Sequence, residues 1–359
     1  MVLPASLPAS TTRPDPAPFD RPAPLPAGTP PHWTVRPLLL SDAPAVAALL
    51  TAEERAHPAD FHVSTDEVVE TMDGPTVDLS NGTVAVLDGP TLIAYGIVQV
   101  VTPPGSAAGT WMAYLDGAVH PDHERRGLGR WVVGESVRRA RALRDATNPS
   151  LSGEVKIGLP PERPGVAAVV ADQGFEVWRW FTEMRVELDD PAALPAVPDV
   201  PGHHVRGYTP ADEDAVRSVS NESFADHWGS VPMDPETWRS RFTDSAAFRP
   251  EHSQVAVTDD GRVVGFVLVT EYDAETAERG FRSAYLARIG TARAHRGLGL
   301  ASRMVHRVLP VAAAAGYRRA DLDVDSASPT GAGRIYTRVG FRAVKQHSVA
   351  GLRLPPADA

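Results

Sequence analysis

Two pairs of short apolar runs stand out in the pattern of hydrophobic and polar positions along the chain. The first pair, 84–87 and 92–98, is joined around Asp88-Gly89, and the second, 255–257 and 263–269, is joined around Asp260-Gly261. β-Branched runs of this length that flank an Asp-Gly turn predict β-hairpins. Gly89 and Gly261 lie 172 positions apart, so the same hairpin is expected once in each half of the chain.

Other landmarks recur at a similar spacing. They are the strand starts with a helix cap behind them, the glycine turns that open an amphipathic helix, and the Gly-Phe pairs that follow a short helix: Val35 and Val205, 126–129 and 296–299, 174–175 and 340–341. The Gly-Phe pairs are 166 positions apart and the turns 170. The pattern therefore predicts one α/β unit of strands and helices that occurs twice.

Proline-rich segments mark the borders of these units. Residues 1–32 are rich in proline and lack apolar periodicity, which predicts a disordered tail. A second proline cluster at 189–203 predicts a linker. The expected organisation is therefore the tail 1–32, an N-terminal domain 33–188, the linker 189–203 and a C-terminal domain 204–355.

Composition narrows the function classes without choosing one. The 359 residues include no cysteine, which excludes disulfides, thiolate metal sites and cysteine nucleophiles. The formal net charge of −10 argues against a nucleic-acid partner. No apolar run is long enough for a membrane helix, and the N-terminus lacks a secretory signal pattern. We therefore expect a cytoplasmic protein with no membrane partner and no metal.

The most informative segment is 289–302, where Ile289-Gly290-Thr291 ends a strand and a glycine turn leads into a helix. Gly297 and Gly299 would allow close approach of a ligand to the backbone, and the start of a helix is a physical site for phosphate. A dinucleotide fingerprint would need glycine at Ser302, and the Gly-Lys-Ser/Thr of a nucleotide-triphosphate loop is absent. A purely structural turn stays an open alternative.

Arg296-x-x-Gly299-x-Ala301, after a strand in a repeated α/β unit, resembles motif A of the GNAT superfamily of acetyl-CoA-dependent N-acetyltransferases. The resemblance covers 33–188 and 204–354. The sequence with its two units is similar to the tandem, mycothiol synthase-like type of GNAT protein. It implies an α/β (α+β) fold of two GNAT domains, each a mixed twisted sheet flanked by helices, with acetyl-CoA as co-substrate. It also implies a set of coenzyme-binding residues: Ile289, Gly290, Thr291, Arg296, Gly297, Leu298, Gly299, Leu300 and Ala301.

The first half departs from this motif in either register. Arg126-x-x-Gly129 places Trp131 at the small-residue position, whereas Glu124-x-x-Gly127-x-Gly129 places an acid where the motif has Gln or Arg. A carboxylate at that position would repel a phosphate. The N-terminal half is therefore expected to bind coenzyme weakly, or only to support the other half.

A tyrosine near the C-terminus has no counterpart in the first half. Ile335-Tyr336 before Gly340-Phe341 resembles GNAT motif B, which implies that Tyr336 protonates the departing coenzyme A thiolate. A phenol within hydrogen-bond reach is able to do so. The alternative is a tyrosine packed on the sheet. The equivalent residue of the first half is Val170, whose side chain cannot donate a proton. The C-terminal half is therefore predicted to be catalytic and the N-terminal half degenerate.

The general base is less clear. The position that holds a glutamate in many GNATs is Tyr285, a poor base at neutral pH. Glu271 is the first substitute, Glu222 and Asp226 are others, and a water chain is also open; for each carboxylate, a solvated surface charge is the alternative. The loop 224–232 is either part of an acceptor pocket or a plain connection.

The expected function is transfer of an acetyl group from acetyl-CoA to a primary amine of a small molecule or peptide, by direct attack in a ternary complex. The oligomeric state is left as a monomer or a homodimer. Two alternatives remain: a non-catalytic acyl-CoA-binding or regulatory module, and mycothiol synthase.

Overall fold

A computed structural model describes residues 22–106, 109–190, 194–327 and 331–357. The first 21 residues of the predicted tail and residues 191–193 of the predicted linker lie outside this part of the chain. In the described residues, twelve strands form a single mixed sheet with helices packed on its faces. This agrees with the α/β class that the repeat predicts.

The first half contributes six strands and five helices. The strands are β1 Trp33–Arg36, β2 Thr83–Asp88, β3 Thr91–Val100, β4 Trp111–Val119, β5 Gly153–Leu159 and β6 Glu176–Glu187. The helices are α1 Ala43–Ala56, α2 Thr65–Asp73, α3 Leu79–Gly82, α4 Leu128–Thr147 and α5 Pro164–Ala171. The predicted hairpin is present, because β2 and β3 pair in antiparallel fashion.

The second half repeats the order of the strands. Its strands are β7 His203–Gly207, β8 Gln254–Thr258, β9 Val263–Thr270, β10 Arg282–Thr291, β11 Tyr317–Asp325 and β12 Arg342–Leu354. Its helices are α6 Glu213–Ser223, α7 Pro235–Trp238, α8 Asp273–Arg279, α9 Leu300–Ala314 and α10 Ala332–Arg338. Helix α8 lies between β9 and β10, where no helix is described in the first half. The second predicted hairpin is β8–β9, also antiparallel.

The last strand of each half is exchanged into the sheet of the other half. The strand order is β1-β2-β3-β4-β5-β12-β6-β11-β10-β9-β8-β7, so β12 lies between β5 and β6, and β6 lies between β12 and β11. Glu183 on β6 is consequently aligned with Asp323 on β11. Residues from the first half therefore contribute directly to the surroundings of the second half's central strands.

Apolar side chains fix the long helices on the sheet. On α9, Met304, Val305 and Val308 are completely buried in the large core of the second half. This stripe at helical spacing is what the sequence pattern predicts for a helix packed on a sheet. No helix in the described part of the chain is long and apolar enough to cross a membrane.

Residues 22–32 are ordered, which corrects the prediction of a disordered tail for this part. The indole Nε1 of Trp131 donates hydrogen bonds to the carbonyl oxygens of Ala23 (3.2 Å) and Pro24 (2.9 Å). The backbone N–H of Ala23 donates to Glu135 Oε2 at 3.3 Å. Composition gave no sign of these contacts because their partners lie more than a hundred residues away along the chain.

Candidate active site

Strands β10 and β11 separate partway along their length. Their parallel pairing extends from Arg282 to Tyr285 on β10. From Leu286 to Thr291, β10 pairs with β9 alone among the described strands. One backbone edge of this segment, which includes Ile289, Gly290 and Thr291, is therefore left open to an extended ligand.

A bulge distinguishes β10 from its counterpart in the first half. The pairing of β10 with β9 shifts register between Leu286 and Arg288, which places one extra residue, Ala287, at the opening. The equivalent strand β4 pairs with β3 in continuous register from Ala113 to Val119. A bulge turns backbone groups away from the ladder. Of the two described strand openings, only the one in the second half has a bulge beside it.

The glycine turn follows β10 and opens α9. Gly297 has a φ of +78°, and Gly299, the N-cap of α9, has a φ of +90°. A Cβ added to either glycine would meet no described atom within 4 Å, so this face of the turn is open. The first-turn N–H groups of a helix lack intrahelical partners and are suited to an anion.

The guanidinium of Arg296 fixes the turn by hydrogen bonds to neighbouring backbone carbonyl groups. Its Nη2 donates to the carbonyl oxygen of Ser223 at 2.8 Å, and its Nε donates to the carbonyl oxygen of Thr291 at 3.3 Å. The two alternative bases of this region have a similar role. Glu222 accepts from the backbone N–H of Arg293 at 2.7 Å, and Asp226 pairs with the Arg293 guanidinium.

The first-half turn has the same backbone shape with different side chains. Arg125 (φ +59°) and Gly127 (φ +81°), which is the N-cap of α4, repeat the left-handed positions of Gly297 and Gly299. This equivalence selects the Glu124-x-x-Gly127-x-Gly129 register. Glu124 therefore stands where the second half has Arg296, and its carboxylate pairs with His57 at 2.8 Å.

The ordered N-terminal segment covers the first-half turn. A Cβ built on Gly127 would lie 3.3 Å from both Cβ and Cγ of Pro26, whereas the equivalent position on Gly299 is open. The second half has a matching segment, held by Arg303 Nη1, which donates to the carbonyl oxygen of Val197 at 3.0 Å. That segment leaves the Gly299 face uncovered.

Tyr336 lies on α10 with 8% of its surface exposed. Burial raises the pKa of its phenol to about 12, and no hydrogen bond joins the hydroxyl to another described residue. The backbone N–H of Phe341 donates to the carbonyl oxygen of Tyr336 at 3.1 Å, and Phe175 bonds to Val170 in the same way at 3.2 Å. Val170 therefore occupies the place of Tyr336 in the first half.

Glu271 lies inside a network of hydrogen bonds from basic and phenolic side chains. It accepts from Arg282 (2.7 Å), Arg249 (3.1 Å) and the Tyr317 hydroxyl (2.7 Å). Burial alone would raise the pKa of its carboxyl group, but the hydrogen bonds from these three side chains lower it to about 2. These contacts argue against the predicted role of Glu271 as a base, because its lone pairs are taken and its proton affinity is low.

A cluster of carboxylates that sequence reasoning did not identify surrounds Tyr285. The Tyr285 hydroxyl donates to Asp323 at 3.0 Å, and Asp323 is aligned with Glu183 on the exchanged strand. Burial raises the pKa of Glu183 above its ordinary value; Arg185 opposes this shift, and the carboxylates of Asp321 and Asp323 add to it. The alternation of Asp321 and Asp323 was a signal in the sequence, whereas Glu183 required knowledge of the strand exchange.

These side chains line a cavity of about 1030 Å³ between the two halves. Its described lining has nine carboxylates and five arginine or lysine side chains, so the cavity is acidic on balance. The cavity begins at Ser283 and Tyr285 beside the opening of β10 and β11, and it extends to Asp116 on β4. A cavity of this size with many charged groups in its lining suits a molecule with several polar functional groups.

The loop 224–232 reaches across to the first half. The Tyr114 hydroxyl donates to the carbonyl oxygen of Gly229 at 3.4 Å, and the Lys156 ammonium lies 4.3 Å from the centre of the Trp228 ring. The Arg288 guanidinium stacks on Phe224 at 3.8 Å. The loop is thus part of the contact between halves next to β10. In the described residues, no group of three or more His, Asp or Glu side chains is arranged to hold a metal ion.

Comparison with known proteins gives a family match for the second half and a shared fold for the whole chain. Residues 214–341 match the family described as Acetyltransferase (GNAT) family. The chain is similar in structure to a GCN5-related N-acetyltransferase from Sphaerobacter thermophilus, with a TM-score of 0.68 and 26% identity over 91% of this chain and 97% of the other. It also shares its fold with a tandem GNAT protein from the clavulanic acid biosynthesis pathway, with a TM-score of 0.64 and 20% identity over 89% and 98% of the two chains. The second half therefore matches the GNAT family, and the chain as a whole shares the fold of a tandem GNAT protein.

Curated relatives include proteins named mycothiol acetyltransferase. The one from Parafrankia sp. (strain EAN1pec) is 29% identical over 346 residues, which cover 86% of this chain and 94% of the relative. The one from Salinispora arenicola is 29% identical over 212 residues. That match spans 58% of this chain and 60% of the Salinispora protein.

Proposed function

We propose that this protein is an acetyl-CoA-dependent N-acetyltransferase whose C-terminal half carries out the reaction on a primary amine. The proposal depends on one observation: the open edge of β10 lies next to a glycine turn at the N-terminus of α9, and no described atom covers this turn. The first half has a covered turn and no phenol at the equivalent position, so it supports the reaction without performing it.

The coenzyme is held by backbone groups of the second half. Pantetheine pairs with the free edge at Ile289, Gly290 and Thr291, and the pyrophosphate lies on the turn Arg296–Gly297–Leu298–Gly299–Leu300–Ala301. The positive φ angles of the two glycines and the open space beside them support this placement. The acetyl group then lies near the bulge at Ala287, where a freed backbone N–H polarises the carbonyl oxygen.

The amine enters from the acidic cavity and loses its proton to Glu183, which lies beside Asp323 and Tyr285. A carboxylate with a raised pKa is a better proton acceptor than Glu271. The amine nitrogen forms the new bond to the acetyl carbon, and the carbon–sulfur bond breaks. Tyr336 gives its proton to the leaving thiolate, since its raised pKa keeps the phenol protonated at neutral pH.

The test is release of free thiol from acetyl-CoA in the presence of a panel of primary amines. The chain contains no cysteine, so a thiol reagent reports coenzyme A without a background from the protein. We expect Tyr336→Phe to lower kcat by about 10²–10⁴-fold and to leave the Kd of acetyl-CoA unchanged. Tyr208→Phe, which removes the same atom elsewhere in the core of this half, is the matched control.

The outcomes separate the candidate functions. Unchanged turnover in Tyr336→Phe would remove its role as the acid. Tight binding of acetyl-CoA without turnover of any amine would favour a non-catalytic acyl-CoA-binding module. The relatives named mycothiol acetyltransferase support a second, narrower candidate, acetylation in mycothiol formation. Mycothiol appearing in a reaction with its unacetylated precursor and acetyl-CoA would establish that candidate.

A further inference from the structure

The cavity ends in the first half at a pair of carboxylates on separate elements. Glu53 lies on α1 and Asp116 lies on β4, and both line the cavity. Glu53 is 7% exposed. Its Oε1 pairs with Arg163 Nη1 at 2.6 Å, whereas its Oε2 is buried and has no hydrogen-bond partner among the described residues.

Asp116 is better satisfied but faces the same space. Its Oδ1 accepts from the backbone N–H of Gly117 at 2.8 Å, and its Oδ2 accepts a long hydrogen bond of 3.4 Å from the Tyr95 hydroxyl. A buried carboxylate oxygen without a donor is costly, because it has lost water and gained nothing in exchange. The free Oε2 of Glu53 therefore indicates a missing donor.

The position of Asp116 shows what kind of donor fits. Asp116 pairs with Ile97 just beyond the last paired residues of β4 and β5, Leu115 and Ile157. At the equivalent point of the second half stands Arg288, which pairs with Leu268. The first half thus presents a negative charge at its strand opening where the second half presents a positive one, and this charge favours a cation.

We propose that Glu53 and Asp116 form a binding site for a second cationic nitrogen of the acceptor, so that the acceptor is a diamine, a polyamine or an amino sugar with two ammonium groups. The inference rests on the proposed function, since the first amine is the one that is acetylated near Tyr285. A single cavity joins the two places, and its excess of carboxylates attracts a dication throughout.

Binding of such a group is expected to release a proton. Burial raises the pKa of Glu53 to about 7; Arg163 opposes the shift and Asp116 adds to it. The other charged groups that face Glu53 are His57, which lowers the pKa slightly, and Glu124, which raises it. An ammonium group stabilises the ionised carboxylate, so affinity should increase from pH 6 to pH 8, and proton release should be largest below pH 7.

The test is calorimetric titration of spermidine and of n-butylamine into the full chain, in two buffers that differ in ionisation enthalpy. Wild type should bind spermidine at least about tenfold more tightly than butylamine and release a proton. The double variant Glu53→Gln, Asp116→Asn should lose this preference and the proton release. Glu275→Gln is the control, because it removes a carboxylate from the same cavity next to Arg279 instead.

Each result bears on the proposal. Equal affinity of wild type for the two probes, or an unchanged preference in the double variant, would overturn it. Asp116→Asn alone, which leaves the Glu53–Arg163 pair intact, covers the case in which the double variant does not fold. Acetyl-CoA binding by the variants reports separately on the proposed function, since the coenzyme site lies in the other half.

Discussion

The two halves of this molecule have similar backbone folds and differ in the side chains at equivalent positions. Each has a left-handed turn before its long helix, at Arg125 and Gly127 in one and at Gly297 and Gly299 in the other. Among the described residues, Pro26 lies over Gly127, whereas none lies over Gly299. The comparison teaches that a repeat can keep the backbone geometry of a turn while access to that turn changes.

The same contrast holds around the reacting groups. The second half has a bulge at Ala287 and a phenol at Tyr336, whereas the first half has a continuous β4 and Val170. The first half also contributes a residue to this region, because its exchanged strand β6 places Glu183 beside Asp323. In the proposed reaction both halves therefore contribute to one site, and the variants below test this division from the largest expected effect to the smallest.

After Tyr336→Phe, the substitution Glu183→Gln should have the largest effect on catalysis. Loss of the proton acceptor is expected to lower kcat by about 100-fold or more at pH 7 and to remove the ascending limb of the pH–rate profile. Glu187→Gln on the same strand, whose carboxylate is exposed and pairs with Arg342, should leave both unchanged. A pH profile that keeps its ascending limb in Glu183→Gln would contradict the assignment.

Glu271→Gln should affect stability and not chemistry. Breaking a buried charge network typically costs about 3 kcal/mol, which urea unfolding would detect. The pKa of Glu271 is lowered to about 2, so its contribution is present above about pH 4.5 and is lost as the pH falls toward 2. The exposed Glu278→Gln on α8 is the control. A loss of kcat in a variant with unaltered stability would restore Glu271 as a base.

Trp131→Phe should have the smallest effect. It removes the indole N–H that holds Ala23 and Pro24, and about 1 kcal/mol or less of stability is expected to go with it. The segment 22–32 should become more sensitive to limited proteolysis, whereas acetyl-CoA binding and turnover stay at wild-type values. Reduced acetyl-CoA affinity in this variant would place a coenzyme site in the first half.

The sequence predicted the features that depend on local pattern. The hairpins at Gly89 and Gly261 and the glycine turn before α9 follow from short-range periodicity and turn chemistry, and the structure has them. The features that it did not predict depend on contacts between distant residues. The position of Glu183 follows from the strand exchange, and the low pKa of Glu271 follows from Arg282, Arg249 and Tyr317, which no local pattern connects with it.

The most direct test is the stoichiometry of acetyl-CoA binding, measured by calorimetry on wild type and on Gly299→Asp and Gly127→Asp. Aspartate tolerates a left-handed backbone better than most residues, and its charge opposes a pyrophosphate. Our account predicts one equivalent bound by wild type and by Gly127→Asp, and at least about a tenfold weaker affinity in Gly299→Asp. Two equivalents in wild type, or loss of binding in Gly127→Asp alone, would contradict it.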